Sequence, residues 1–497
     1  MEYTLGPLSL IMTRSRYLIV AFAAAMFWNA PAKATNQAAN GNGLERLNVL
    51  FIVSDDLNNS LGCYGNPVVK SPNIDRLAAR GMRFDHAYCN YPVCNPSRTS
   101  FLSGRRPDTT GVLDNATPPR SHLKDAVFLP EFFRQHEYRT IKVGKIFHTG
   151  DEFEDPRSWD VDIRETNQAK SPPADQILRR QGPNGVVLRA DDEDTWEGIV
   201  ARRAIELMQE AAKSGKPFFV AAGFRMPHSP YIAPEKYYSL YNPDELEPRL
   251  GPPGHLAKVP DLALTYGTGV NPKFPERRPG DTIAAYYAAI SFMDAQVGVL
   301  LDAVDRLGLK DQTIVIFMSD HGYHLGEHGG LWHKLSLFEE SVRIPLIVAA
   351  PGCKPGSTLR LVESVDLYPT LADLCGLPQP VGLEGTSFKP LLENPTQPWK
   401  RAVFTVVSRP REKLQPGDPK FGDINSLGRT VFDGRWRYTA WPDGGEELYD
   451  HRHDPMEYEN LAPESNQRDQ LVIMKQRMAD GWRAARPLSG DVPQIMP

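Results

Sequence analysis

The chain has 497 residues, enough for a large apolar core, with 56 basic against 61 acidic side chains, a net charge of -5 and a pI near 6.2. A balance this even excludes the basic surface of a nucleic-acid binder or of a constitutive membrane-surface protein, so no nucleic-acid partner is expected. Five cysteines over this length do not make a disulfide framework, and none stands in a CxxC pair or a zinc-type spacing.

The first element in chain order is a targeting signal. Arg14 and Arg16 precede an apolar run over 17–28, and Ala32-Lys33-Ala34 supplies a small-x-small cleavage site. Residues 1–34 therefore read as a signal peptide, with Met1 or Met12 as the start, and 35–45 as a flexible leader. Export to the periplasm or out of the cell is the expectation, and it leaves Cys63, Cys89, Cys353 and Cys375 open to pairing. The apolar run is short for a membrane span, and no later stretch offers the ~18 uncharged apolar residues a spanning helix needs, so stable membrane insertion is not expected.

Beyond the leader, short apolar runs end in polar residues, as buried parallel strands do at an active-site edge. Residues 48–53 (NVLFIV) run into Ser54-Asp55-Asp56, 218–222 into Gly223-Phe224-Arg225, and 313–318 into Ser319-Asp320-His321; 344–349 is a further strand. Helical patterns lie between them, at 74–79, 204–212 and 283–307. In the last, Ala289, Phe292, Met293, Val297, Leu300 and Leu301 recur at helical spacing. The alternation predicts an α/β catalytic domain over 46–395 with a mainly parallel sheet, and such sheets bind ligands at the carboxyl ends of their strands. The texture changes near residue 395. Strand-like pieces at 402–407, 429–432 and 436–441, then a terminal helix around 467–485, predict a smaller α+β domain over 396–497. The Pro-rich stretch 241–281 is expected as a loop on the active-site rim, shaping the pocket together with 155–195.

Cys94-Asn95-Pro96-Ser97-Arg98 opens a run that closes at Gly104, which predicts a short helix with Cys94 at its start. A helix N-terminus can cradle an anion with its free N–H groups, and Arg98 returns to the face of Cys94. On its own the pattern also fits a buried cysteine ahead of an ordinary capped helix. Adjacent Asp55 and Asp56 at a strand end are costly unless a cation neutralises them. With Asp320 at a second strand end they make an oxygen-rich set that favours Ca2+ or Mg2+ over zinc. Taken singly, His148, Lys145 and Lys334 read equally well as a core histidine and solvated charges.

Six motifs in this order resemble the formylglycine-dependent sulfatases of the alkaline phosphatase-like superfamily, in their iduronate 2-sulfatase-like branch. They are Asp55-Asp56, Cys94 to Arg98, Val143-Gly144-Lys145 with His148, Met226-Pro227-His228, Ser319-Asp320-His321-Gly322, and Lys334; Glu447-Leu448-Tyr449-Asp450 is similar as well. The resemblance runs from Asn48 to about Leu461. It implies that a formylglycine-generating maturation enzyme oxidises Cys94, and that the hydrated aldehyde is the nucleophile. It also implies one calcium ion held by Asp55, Asp56, the modified Cys94, Asp320 and His321, an imidazole being an unusual calcium ligand. Arg98, Lys145 and Lys334 would stabilise the sulfate charge, His228 and Lys334 would protonate the departing alcohol, and His148 would take a proton as sulfate leaves. The implied substrate is a sulfated carbohydrate, a uronate 2-O-sulfate or another sulfated polysaccharide unit.

Two other readings remain: a phosphate or phosphonate ester hydrolase on the same scaffold, and a non-catalytic carbohydrate-binding relative. The two lysines and the Asp320-His321 step favour sulfate. His324, His328 and His333 are expected on the rim or just behind the site, their spacing matching no recognised zinc pattern, and His122 invites over-reading. Arg225 is a candidate for a substrate carboxylate.

Overall fold

Both faces of the first predicted strand are covered, and that explains its unbroken apolar run. Val49, Phe51 and Val53 face one apolar cluster and Leu50 and Ile52 the other, all fully buried. The computed structural model describes residues 46–165, 169, 171–264, 279–409 and 423–487. The expected signal peptide and leader, and 265–278 of the expected rim loop, lie outside the described residues.

The main sheet has eight strands: β1 (Asn48–Asp55), β2 (Met82–Phe84), β3 (Arg139–Gly144), β4 (Val161–Ile163), β5 (Phe218–Pro227), β6 (Thr313–Ser319), β7 (Leu346–Ala349) and β8 (Gly356–Thr358). Their spatial order is β8-β2-β7-β6-β1-β5-β3-β4. From β6 to β4 every pairing is parallel, whereas β7 runs antiparallel to both β6 and β2. Helices cover the sheet: α1 (Pro72–Arg80), α2 (Cys94–Ser103), α3 (Trp196–Lys213) and α4 (Pro279–Arg306). By length and composition α4 could cross a membrane, yet 83% of its apolar window is buried within the protein. It is a core helix.

After residue 395 come β9 (Val403–Ser408), β10 (Leu427–Phe432), β11 (Trp436–Ala440) and β12 (Glu446–Asp450), an antiparallel meander, and α5 (Arg468–Ala485). Met474 of α5 packs with Val431, Tyr438 and Leu448 of that sheet. Val407, Phe432 and Tyr449 belong to the same apolar cluster as Phe84 and Phe388, so the meander shares the core of the main sheet. None of the five cysteines is joined in a disulfide.

Two glycines set the strand ends beneath the site. Gly144, with φ 84°, sits opposite Gly223 in the β3–β5 register. A Cβ on Gly223 would lie 2.1 Å from the Lys145 carbonyl oxygen, and one on Gly144 would lie 2.1 Å from the Gly223 carbonyl oxygen. Backbone cannot yield as a side-chain tip can. Gly223→Ala is therefore expected to destabilise by at least about 1–3 kcal/mol, seen as a lower thermal midpoint, and to cut activity by moving Lys145. An unchanged midpoint would show that the strands can part at no cost.

Candidate active site

At the carboxyl end of β1 the pairing with β5 shifts register between Ser54 and Asp55. The chain then turns through Asp56 at φ 63°, a left-handed conformation that costs a non-glycine residue energy. Two bonds hold it there. The Asp56 N–H donates to Asp320 Oδ1 (3.2 Å), and the Tyr286 hydroxyl of α4 donates to the Asp56 carbonyl (2.8 Å). Asp320 and His321 follow β6, the neighbour of β1, so the three carboxylates meet at one sheet edge. The Ser97 hydroxyl of α2 donates to the Asp320 carbonyl (2.5 Å) and so fastens the helix to that edge.

Cys94 is the first residue of α2, which ends at Gly104 with φ 65°. Its Sγ lies 3.4 Å from Asp55 Oδ1, 3.4 Å from His321 Nε2 and 3.3 Å from Lys334 Nζ. Lys145 Nζ pairs with Asp55 Oδ2 at 2.5 Å, and Lys334 pairs with Asp56. Arg98 Nε donates to Asp320 Oδ2 (2.9 Å) and its Nη2 to Asp55 Oδ1 (3.2 Å). His228 Nε2 stands 3.8 Å from Asp56 Oδ2. His148 follows β3, with the Phe153 ring edge-on at 4.9 Å, and its Nδ1 makes no hydrogen bond among the described residues.

Burial and charge set the protonation of these groups. Burial pushes the Cys94 thiol up to about 12, with Asp55 adding to the effect. Burial likewise raises the Asp320 carboxyl, against the pull of Arg98. Burial would raise Asp56 too, but His228 and Lys334 hold it well below the usual carboxylate range. His228 is lowered to about 3 and His148 to about 2, in both cases chiefly by burial, so both rings are neutral near pH 7.

The donor set can be tested against a divalent cation. His321 Nδ1 donates to the Gly322 carbonyl (2.9 Å), which in the neutral ring turns the Nε2 lone pair inward. That lone pair lies 3.3 Å from Asp56 Oδ1 and 3.6 Å from Asp320 Oδ2. Burial lowers the His321 pKa, so a proton is disfavoured between them. Asp55, Cys94, Asp320 and His321 offer ligand atoms all within 4.8 Å of one another, as do Asp55, Asp56, Cys94 and His228. Three carboxylates, with one imidazole nitrogen facing them, fit a hard divalent cation.

All the predicted site residues gather at this edge, but several do other work there than their spacing suggested. The α2 N-terminus has few N–H groups to spare for an anion: Asn95 N donates to Asn115 Oδ1 (2.9 Å), Pro96 has no N–H, and Ser97 N donates to the Val93 carbonyl (3.1 Å). Arg98 does return to the Cys94 side, yet its guanidinium is committed to Asp320, Asp55 and the Lys145 and Ile146 carbonyls (2.8 and 3.0 Å). Of the two places expected for them, His324 and His328 take the one behind the surface, both being buried; His333 is half-buried, its Nδ1 2.7 Å from the Tyr323 hydroxyl, and His122 is exposed.

Arg225 is turned inward as well. It pairs with Glu165 (3.1 Å), donates to the Ser229 carbonyl (2.9 Å) and lies 2.9 Å from His228 Nδ1, so both terminal nitrogens are engaged and only the buried Nε makes no hydrogen bond among the described residues. Arg225→Met is therefore expected to lower kcat about 10-fold, by releasing the His228 ring, with KM little changed. A change confined to KM would return Arg225 to substrate binding. Glu165 and Tyr286 carried no local signal, since each reaches the site from a distant element.

Residues 47–377 match the family model described as Sulfatase. The chain is 33% identical over 484 residues to the iduronate 2-sulfatase of Mus musculus, an alignment covering 82% of this chain and 87% of that protein. It is 30% identical over 443 residues to the choline-sulfatase of Rhizobium meliloti strain 1021, covering 84% of this chain and 82% of that protein. Among solved structures, a phosphonate monoester hydrolase from Silicibacter pomeroyi superposes with a TM-score of 0.74 at 22% identity, over 89% of this chain and 96% of that one. Such a likeness shows the alkaline phosphatase-like fold. Within that fold the chain belongs to the sulfatase family, and it is a sulfuric ester hydrolase.

Proposed function

We propose that the protein removes O-sulfate from a sulfated sugar, in the manner of an iduronate 2-sulfatase, using Cys94 oxidised to formylglycine and one calcium ion. Asp55, Asp56, Asp320, His321 and the modified Cys94 would hold the ion. The observation that carries this reading is the convergence of Asp55, His321 and Lys334 within 3.4 Å of Cys94 Sγ. A thiol raised to about 12 is a poor nucleophile as it stands, which supports a modified side chain.

When bound, calcium supplies charge neutralisation and polarises a sulfate oxygen. Formylglycine supplies two hydroxyls on one carbon, one to bond to sulfur and one whose loss of a proton expels sulfate. Lys145 and Lys334 face the sulfate oxygens and stabilise the charge that develops on them. Asp320, its carboxyl raised by burial, accepts the proton of the attacking hydroxyl. Lys334, kept protonated by Asp56 against its burial, gives a proton to the alcohol oxygen as its bond to sulfur breaks; the neutral His228 ring has none to spare. His148, neutral and with an unpartnered Nδ1, takes the proton of the second hydroxyl, and sulfate departs. Export through residues 1–34 and maturation by a formylglycine-generating enzyme belong to the same reading.

The test is a panel of defined esters given to full-length protein co-expressed with such a maturation enzyme. It would include a 2-O-sulfated uronate, a sulfated glucosamine, choline sulfate and an aryl phosphonate. Release of sulfate from the uronate, lost with a calcium chelator and restored by calcium, is the expected result. Preferential turnover of the phosphonate or of choline sulfate would overturn the sugar assignment.

A further inference from the structure

The turn that follows His321 carries a second cluster of ligand-type side chains, for which the sulfatase reaction has no use. His324 and His328 are 0% and 1% exposed. His324 Nδ1 lies 3.6 Å from Glu327 Oε2 and 4.0 Å from Glu340 Oε2, and His328 Nε2 lies 3.4 Å from Glu340 Oε2. His324 Nδ1, His328 Nε2 and Glu340 Oε2 are all buried and make no hydrogen bond among the described residues.

Both rings are held in place from behind. His324 Nε2 is bonded to the Ser336 hydroxyl (2.7 Å), and His328 stacks on Phe338 with centroids 3.8 Å apart. A ring nitrogen tied to an oxygen, with its partner nitrogen aimed at carboxylates, is the arrangement that orients a metal-ligating histidine.

We propose that His324, His328, Glu327 and Glu340 form a second metal site, for a transition-metal dication of the zinc type, separate from the cluster around Cys94. Two imidazoles and two carboxylates suit zinc, whereas calcium takes oxygen donors. Tetrahedral bonds of about 2.0–2.1 Å put ligand atoms ~3.3 Å apart; neighbouring pairs here stand 3.4–4.0 Å apart, but no three of the four residues bring their ligand atoms within 4.8 Å of one another, so the side chains must rotate inward to hold the ion. Glu327 and Glu340 also line a cleft of about 330 Å³ with Asn59, Arg249 and Arg343, while the two histidines lie behind them. The ion would clamp the turn at 324–328, where His328 has φ 51°, to the short helix Glu339–Val342. Its role is structural, supporting the segment that follows Asp320 and His321.

The experiment uses the full chain, stripped with a chelator, returned to excess calcium, and titrated with Zn2+ and with Co2+. One tight equivalent is expected beyond calcium, with a Co2+ absorption band of the four-coordinate type and a raised thermal midpoint. His324→Ala and Glu340→Gln should each weaken Zn2+ binding at least about 100-fold, since losing a ligand costs more than losing the group that orients one. Asp55→Asn should leave this equivalent in place. No Zn2+ equivalent in the presence of calcium, or one lost in Asp55→Asn and kept in His324→Ala, would overturn the site. Should His324→Ala not fold, anomalous scattering from zinc-soaked wild-type crystals decides: an ion between Glu340 and His328 supports the site, and its absence there refutes it. None of these readouts depends on sulfatase turnover.

Discussion

Cys94→Ala is expected to lower sulfate release by at least about 10⁴-fold, the scale of losing a catalytic nucleophile, with almost no change in the thermal stability of the calcium-free protein. The contacts of Sγ are few and long, at 3.3 Å and beyond, and alanine preserves the start of α2. Activity and stability should therefore separate cleanly. Cys94→Ser is the more telling variant. A serine hydroxyl can take up sulfate but has no second hydroxyl whose deprotonation would expel it, so a stable sulfated serine should accumulate after one turnover. Peptide mass spectrometry reads both results. Wild-type enzyme that is active with an unmodified thiol, or an alanine variant that keeps its turnover, would sink the formylglycine reading.

Asp320→Asn is expected to fail in two ways at once. The carboxylate accepts from Arg98 Nε, from the Asp56 N–H and from the His321 N–H (3.0 Å), all at full burial. Neutralising it leaves Asp55 as the single carboxylate on the buried Arg98 guanidinium. Breaking a buried pair this way costs about 3–5 kcal/mol, with the lower end expected because asparagine keeps one acceptor. Calcium affinity and kcat should fall together, the latter by at least about 10³-fold. Calorimetric unfolding, calcium titration and steady-state kinetics check the three parts. A variant with normal calcium binding and normal turnover would remove Asp320 from the metal set.

The strands were legible where both of their faces are buried, because a doubly covered strand needs an unbroken apolar run. β1 and β6 meet that condition, and the acidic residues just past their ends were therefore locatable. α2 was legible at both ends for a different reason: Pro96 suits a first turn, and Gly104 takes a left-handed φ that side chains resist. The antiparallel direction of β7 was not legible, since an apolar run of the same length serves either direction. The α2 N-terminus and the Arg98 guanidinium misled in the same way. Spacing along a helix shows which face a group shares, but not which distant acceptor reaches it first, here Asn115 for the one and Asp320 for the other.

The sequence by itself determined the chemistry on offer. It names a cysteine at a helix start, carboxylates past two strand ends, two lysines and two histidines in an order that resembles the sulfatases. Composition and local pattern suffice for that, because each element forms from its own periodicity. Only the tertiary structure decided which groups face one another. It turns Arg225 from substrate toward His228, has Tyr286 hold the left-handed Asp56, and brings Glu340 against His324 and His328. The physical reason is burial: once water is excluded, every charge must find its partner across the fold, and a linear spacing cannot show which partner that will be.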